Sequence, residues 1–301
     1  MTSELALAID VGGTTIKGEL VDRSGAVAHA ASAPTPPGRE ARAAVAALGR
    51  ELLDRAGTRT IVGAGVVVPG IVDADAGIAS YSANIGWRDL ELVDHLETTW
   101  SLPVRIGNDV FSGGVAEHRA AAHHGIEDLV FVPIGTGIAA AVVSGGHLLR
   151  GHRGETAEIG HLAVRPGVRC GCGGDGCLEA VASASAIVRR YTALTNRAVD
   201  GAGAVAARLG NDEAARTVWT EAVEALADAL TAVSLLVSPE RVVIGGGLGD
   251  AGALLLDPLR TALGERARVV TAPAVTAAVH GRRAGVVGAG LLAFDGWAVE
   301  A

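Results

Sequence analysis

No apolar run in this 301-residue chain reaches the roughly 18–20 residues that a membrane-spanning helix needs, although 49% of its residues are hydrophobic. Alanine and glycine dilute that content, so a globular protein with no membrane partner is expected. Positive charge is in deficit: Lys and Arg number 25 against 33 Asp and Glu, a formal net charge of −8. That balance excludes the basic footprint of a nucleic-acid-binding protein. Met1-Thr2-Ser3-Glu4 places no basic region before the first short apolar stretch, so no secretory signal is expected. Linker-like and low-complexity segments are also missing, and the length suggests about two lobes packed together. Cysteine is scarce, with only three in the chain. An odd, clustered set argues against a disulfide framework and for a reducing, cytoplasmic setting.

Those three cysteines fall in one pattern, His161-x8-Cys170-x-Cys172-x4-Cys177. Three thiolates and an imidazole complete a tetrahedral set for Zn²⁺, with no position left for water, which points to a structural ion. The alternative is a redox-inert glycine-rich loop that happens to collect the cysteines. Glu158 and Glu179 bracket the cluster, so the ion would brace a polar site.

What the sequence has in abundance is strand-turn-strand pattern. Leu5–Ile9 reads as a strand running into Asp10-Val11-Gly12-Gly13-Thr14-Thr15; a second strand leaves over 16–21, turns at 22–25 and returns over 26–28. Residues 129–132 form a strand ending in Ile134-Gly135-Thr136-Gly137, and a second strand leaves over 138–143, turns at 144–146 and returns over 147–149. The same order twice suggests a duplicated domain with a phosphate loop in each half. Between the copies lie a loop at 33–38, a helix over about 40–55, buried strands at 61–68 and 104–107, and a helix starting near Asn108-Asp109. Near-continuous apolar strands alternating with helices indicate a sheet covered on both faces. Later, Asn211 or Asp212 caps a helix running to about Val237, a strand at 241–244 stops at Gly245-Gly246-Gly247, and a final helix runs from about 283 to 298.

Glycine turns with a threonine beside them suit phosphate oxygens, which need many donors at short range. Asp10 adds a carboxylate able to hold Mg²⁺ directly or through water. A tight strand turn is the competing explanation of this motif, and a flexible strand-to-helix corner that of Gly245-Gly246-Gly247. Asp109 ends a strand, where α/β sheets place reactive groups, and could accept the proton of an attacking hydroxyl. It could equally cap the following helix. Asn84 fits an Asx turn, and Glu179 an exposed first-turn residue. Carboxylates and carboxamides presented together also suit a polyhydroxyl ligand.

Asp10-x-Gly12-Gly13-Thr14, Asn108-Asp109, Gly135-Thr136-Gly137, Glu158-x-Gly160-His161 and Cys170-x-Cys172-Gly173-Gly174-x-Gly176-Cys177-Leu178-Glu179 together resemble the ROK family of sugar kinases and repressors, over essentially the whole chain. The resemblance implies the α/β actin-like ATPase fold, duplicated and ribonuclease H-like, with two lobes and a cleft between them. Residues 1–112 would form the N-terminal lobe, completed by a C-terminal helix 286–301. Residues 113–285 would form the larger lobe with the second phosphate loop, the zinc loop and adenosine-binding glycines. Asp109 matches the catalytic base, and Asn84, Asn108, Asp109, Glu158, His161 and Glu179 match sugar-binding positions. Asp10, Gly12, Gly13, Thr14, Thr15, Lys17, Gly135, Thr136, Gly137, Gly246 and Gly247 would serve ATP and Mg²⁺.

His161 matches a residue that touches sugar with one ring nitrogen and zinc with the other. The family's repressors carry a helix-turn-helix domain ahead of the first phosphate strand, and none is expected before Leu5. Polyphosphate-using members generally lack the cysteine cluster, which favours ATP as donor. The implied activity is phosphorylation of the 6-hydroxyl of a hexose, most of all glucose, by a homodimer or homotetramer. N-acetylmannosamine or N-acetylglucosamine kinases and a non-catalytic sugar sensor are the alternatives. Because the phosphate turns lie elsewhere in the sequence, the zinc loop is expected to act on sugar far more than on ATP.

Overall fold

A computed structural model describes residues 4–296. The chain divides into two compact units, one running to Ala116 with Arg150–Glu155 and the chain from Arg283 onward, the other holding Glu117–Leu149 and Thr156–Arg282. The first boundary read from sequence, 112/113, thus lies four residues earlier than the observed division, and the short segment Arg150–Glu155 had no signal in the sequence.

In the first unit, β1 (Leu5–Val11), β2 (Thr15–Asp22) and β3 (Val27–Pro34) form an antiparallel meander. After α1 (Glu40–Arg55), β4 (Ile61–Val68) pairs parallel with β1. A small antiparallel sheet of β5 (Ile71–Asp73), β6 (Ile78–Ser82) and β7 (Trp87–Glu91) follows. It has no counterpart in the sequence reading, because its strands are short and carry no continuous apolar run. Next come α2 (Val93–Trp100), β8 (Val104–Asn108), parallel to β4, and α3 (Asp109–Ala122), within which the units divide. The main sheet is ordered β3-β2-β1-β4-β8.

The second unit repeats this plan. Strands β9 (Leu129–Pro133), β10 (Ala141–Ser144) and β11 (His147–Leu148) form the meander. Helices α4 (Leu178–Ala182), α5 (Ala184–Thr195), α6 (Ala202–Ala206) and α7 (Glu213–Val237) come next. Then β12 (Arg241–Gly245), α8 (Gly246–Gly249), α9 (Ala253–Arg266) and β13 (Ala274–Ala277) follow, with β12 parallel to β9 and β13 parallel to β12. The order β11-β10-β9-β12-β13 matches that of the first sheet strand for strand. Helix α7 starts where Asp212 accepts the Ala215 N–H, and Tyr191 donates to the other Asp212 oxygen at 2.7 Å. One expected strand differs: residues 138–140 are outside β10, which begins at Ala141. Their polar backbone is taken elsewhere, for the Ala140 N–H donates to Ala157 rather than to a sheet neighbour.

The last helix, α10 (Ala284–Asp295), belongs to the first unit and ends at Gly296 in the left-handed conformation. It is shorter than the expected 283–298 or 286–301, and residues 297–301 lie outside the described residues. Gly18 and Val21, on opposite faces of β2, show how its sheet is covered: a Cβ at Gly18 would strike Leu52 of α1, and one at Gly290 of α10 lies 3.0 Å from Val21. Arg283 forks onto Glu19 with bonds of 3.0 and 2.7 Å, and Arg105 donates to the Ala293 carbonyl at the far end. Glu19 is itself buried, so this fork satisfies a carboxylate that would otherwise be costly.

The tightest approach is between α10 and β4, where a Cβ on Gly65 would lie 2.0 Å from the Ala289 carbonyl oxygen. Backbone on both sides leaves nothing to rotate away. We therefore expect Gly65→Ala to destabilise the first unit by about 3 kcal/mol, the upper end for overpacking. Chemical denaturation followed by the near-ultraviolet signal of Trp87 and Trp100, both in that unit, would measure it.

Candidate functional site

In the first unit, the turn after β1 is closed by the Gly12 N–H donating to Thr15 at 3.0 Å. Thr35, just beyond β3, holds it from behind: its hydroxyl donates to the Gly12 carbonyl at 2.7 Å and its N–H to the Thr14 carbonyl at 3.0 Å. Sequence reading placed Thr35 in a loop and missed this role, which only the pairing of β2 with β3 reveals. Thr14 and Thr15 are exposed, as residues that meet a ligand must be.

Asp10 faces Lys17 across β1 and β2, with Nζ 3.9 Å from its carboxylate. The first turn of α10 also crosses it, so that a Cβ at Gly285 would lie 2.8 Å from the same carboxylate. Burial pushes the Asp10 carboxyl above its ordinary value, and Lys17 offsets part of that. A desolvated carboxylate short of positive charge is chemically suited to a divalent cation.

Asn84 sits in the tight turn between β6 and β7, exposed, and its Cβ is 3.5 Å from where a Cβ on Gly13 would lie. The small sheet thus brings this residue beside the first phosphate turn. At the end of β8 the two adjacent polar residues divide their labour. Asn108 is the cap: its Oδ1 accepts the Phe111 N–H at 2.9 Å and its amide donates to the Gly70 carbonyl at 2.9 Å. Asp109 is left as the first helical residue, half-buried, with one oxygen accepting the Val110 N–H at 2.9 Å.

In the second unit, Gly135 closes its turn by donating to Gly137 at 3.0 Å. Ala184 N–H donates to the Gly135 carbonyl and Ser185 Oγ to the Thr136 carbonyl at 2.6 Å, so the start of α5 backs this turn as Thr35 backs the first. The Glu179 carboxylate accepts the Ile138 N–H at 2.9 Å. Gly246 meets the turn from the other side. It has φ of +70° and a Cβ there would lie 2.5 Å from the Ile134 carbonyl, while Leu248 N–H donates to that carbonyl. Close approach at Gly246 is thus to the chain's own backbone, whereas Gly247 is exposed.

His161 ends a short 3₁₀ turn, Ile159–His161, that begins at Glu158. A ligand atom from each of His161, Cys170, Cys172 and Cys177 lies within 4.8 Å of the others. Cys172 and Cys177 sulfurs stand 3.7 Å apart, too far for a disulfide and close to the edge of about 3.8 Å that tetrahedral geometry gives for zinc–sulfur bonds. The Gly174 N–H draws the exposed Cys172 thiol below its ordinary value, whereas burial pushes the Cys177 thiol up to about 12. A buried thiol that resists ionising alone is the group a soft divalent cation would deprotonate. The donor set and its spacing fit such an ion.

Six expected sugar positions thus fall in two groups: Asn84, Asn108 and Asp109 in the first unit, Glu158, His161 and Glu179 in the second. A cavity of about 460 Å³ in the first unit is walled by Asp73, Asp75, Ser80, Arg150, His152 and Arg153 among others. Asn108 is the expected site residue that reaches it, and the cavity has no local signature because residues 150–154 join it from a distant part of the chain.

Two sheets of identical strand order, each followed by a braced glycine turn, define the duplicated actin-like ATPase fold, to which the solved relatives belong. The chain belongs to the ROK family, whose model matches residues 6–295. It is similar to a glucokinase of Halalkalibacterium halodurans, 32% identical over 97% of this chain and 96% of the relative. Among solved structures it resembles a ROK family glucokinase from Streptomyces griseus in complex with glucose and AMPPNP, with a TM-score of 0.83, 30% identity, and coverage of 96% and 99% of the two chains. It also resembles an N-acetylglucosamine repressor of Escherichia coli, 30% identical over 69% of this chain and 54% of that one. No described helix is long and apolar enough to cross a membrane.

The environment of Asp10 generates a test. A carboxyl whose folded-state value is raised binds its proton more tightly folded than unfolded, so ionisation costs stability. That cost is absent below the ordinary value of 3.8 and grows as pH rises through it. Asp10→Asn should therefore melt higher than wild type at pH 7, by about 2–4 °C for each kcal/mol relieved, with the gap closing toward pH 4. Equal melting curves at both pH values would refute the burial argument.

Proposed function

We propose that this protein is an ATP-dependent hexose kinase that phosphorylates a 6-hydroxyl, with glucose as the preferred acceptor. The observation that carries the reading is the placement of a carboxylate at the C-terminal end of β8, where Asn108 caps α3 and Asp109 is its first helical residue. A base at that point would take the proton of the 6-hydroxyl as its oxygen attacks the γ-phosphorus in line, and ADP leaves with the bridging oxygen. Backbone donors and threonine hydroxyls of the turns at Gly12–Thr14 and Gly135–Gly137 would hold the phosphates. Asp10 would hold Mg²⁺, which when bound offsets phosphate charge. Asn84, Asn108, Glu158, His161 and Glu179 would hold the sugar, and Gly246 and Gly247 would border the adenosine.

The likeness to glucokinases over nearly the full length of both chains supports glucose. The repressor likeness covers about half of that relative, and a pure sensor would have no use for a braced glycine turn in each unit. A coupled ADP-release assay with ATP over glucose, mannose, N-acetylglucosamine and N-acetylmannosamine tests the reading. Turnover should be greatest with glucose. Higher turnover with an N-acetylated sugar would shift the assignment within the kinases, and no turnover with any hexose would favour a sensor. Asp109→Asn should lower kcat by about 10²–10⁴ while sugar binding persists; near-wild-type turnover would remove Asp109 from the chemistry.

We also infer a structural Zn²⁺ held by His161, Cys170, Cys172 and Cys177. Elemental analysis should find about one zinc per chain, the stoichiometry of one four-ligand site. Cys172→Ser should lose the metal and weaken sugar binding through a displaced His161. A variant that binds glucose as tightly as the wild type without metal would break the link between ion and sugar.

A further inference from the structure

The backbone of Ile138 is gripped from two sides. Its N–H donates to the Glu179 carboxylate at 2.9 Å, and its carbonyl oxygen lies only 2.0 Å from where a Cβ on Gly160 would be. No side chain fits between Gly160 and Ile138, so the Glu158-Ile159-Gly160-His161 turn rests directly on the residue that follows the second phosphate turn. The Ala140 N–H bond to Ala157 at 3.0 Å extends the same seam. Glu179 is two residues beyond the zinc-loop Cys177, in the first turn of α4, and the Leu178 N–H donates to Leu162 just past His161. A Cβ on Gly137 would lie 2.5 Å from Glu179 Oε2, so the carboxylate also lies against the turn itself.

We propose that Glu179 is a positioning residue for the nucleotide as well as a sugar-site residue: by holding the Ile138 N–H it locks the Gly135–Gly137 turn to the zinc loop, so the two shift as one body. The inference rests on the hexose kinase reading for its consequence, though not for the linkage itself. It runs against the expectation, drawn from sequence separation, that the zinc loop acts on sugar far more than on ATP. Residues 135–138 and 158–179 are distant in the chain but meet at Ile138, through its N–H and its carbonyl.

The test uses the full-length protein in two conservative variants. Glu179→Gln keeps an acceptor oxygen at the same reach, whereas Glu179→Asp keeps the charge but shortens the side chain by one methylene and withdraws the acceptor. Two readouts are taken without sugar: amide hydrogen exchange at Ile138, with no ligand present, and affinity for a non-hydrolysable ATP analogue with Mg²⁺. Loss of a hydrogen bond to a charged acceptor should speed Ile138 exchange about tenfold or more in Glu179→Asp and weaken the analogue by a similar factor. Glu179→Gln should keep both near wild type while weakening glucose.

If Ile138 exchange and analogue affinity are unchanged in Glu179→Asp, the linkage is wrong. If Glu179→Gln weakens the analogue as much as Glu179→Asp or more, keeping the acceptor does not preserve the nucleotide site, and the proposal also falls. Failure of the wild type to bind the analogue would instead count against the kinase reading, with Ile138 exchange still deciding the linkage. Should Glu179→Asp not fold, Ser185→Ala, which removes the bond to Thr136 but not the one to Glu179, supplies the comparison: its Ile138 exchange should match wild type, and faster exchange would overturn the assignment to Glu179.

Discussion

A glycine turn offered to phosphate is a weak element by itself, and the structure depends on how each of the two is held from behind. Glycine brings backbone donors close to a ligand but forfeits side-chain packing and costs conformational entropy. Each turn is therefore fixed through its carbonyls by residues outside it: Thr35 on Gly12 and Thr14 in the first unit, Ala184 and Ser185 on Gly135 and Thr136 in the second. These braces explain why β3 extends as far as Pro34, and why α5 starts directly at the turn it supports. The same logic shapes the sheet behind the first turn. Gly65 lets α10 close on β4, and the first residues of α10 then reach Asp10.

Much of this was legible in the sequence wherever a signal was local. The apolar runs at 61–68 and 241–244, the helix ended by Pro239 and capped by Asp212, and the repeated strand-turn-strand order need only neighbours in the chain to be recognised. The convergence of His161, Cys170, Cys172 and Cys177 was likewise written in spacing, because four residues within a 17-residue stretch can converge through turns alone. Function at Asn108 and Asp109 could be narrowed but not divided between them. Which side chain turns back to cap α3 is set by the position of Gly70, 38 residues earlier.

What escaped was long-range. Thr35 and Ser185 look like ordinary loop and helix residues until the strands pair. The β5-β6-β7 sheet carries alternating short segments with several exposed positions, so no apolar period marks it. The expected strand at 138–140 failed for a definite reason. Its residues are apolar enough for a strand, but their backbone is recruited by Glu179, Gly160 and Ala157, and that tertiary demand outweighs local preference.

The two halves share a plan yet differ in where their negative charge stands, and this gives their turns different chemistry. In the first copy the carboxylate is in the strand itself: Asp10 is half-buried beneath α10 with Lys17 3.9 Å away, and its charge is only partly offset. In the second copy the corresponding strand position is Pro133, which carries neither charge nor N–H. The carboxylate near that turn comes instead from Glu179 on α4, and it is engaged with the Ile138 N–H. A carboxylate short of positive charge attracts a cation, whereas one already accepting a backbone bond acts as a brace. Under the proposed function, duplication thus supplied two equivalent backbone cradles, and a single change of residue type made the first the place for Mg²⁺. The second was left to hold phosphate by its amides, tied through Ile138 to the zinc loop.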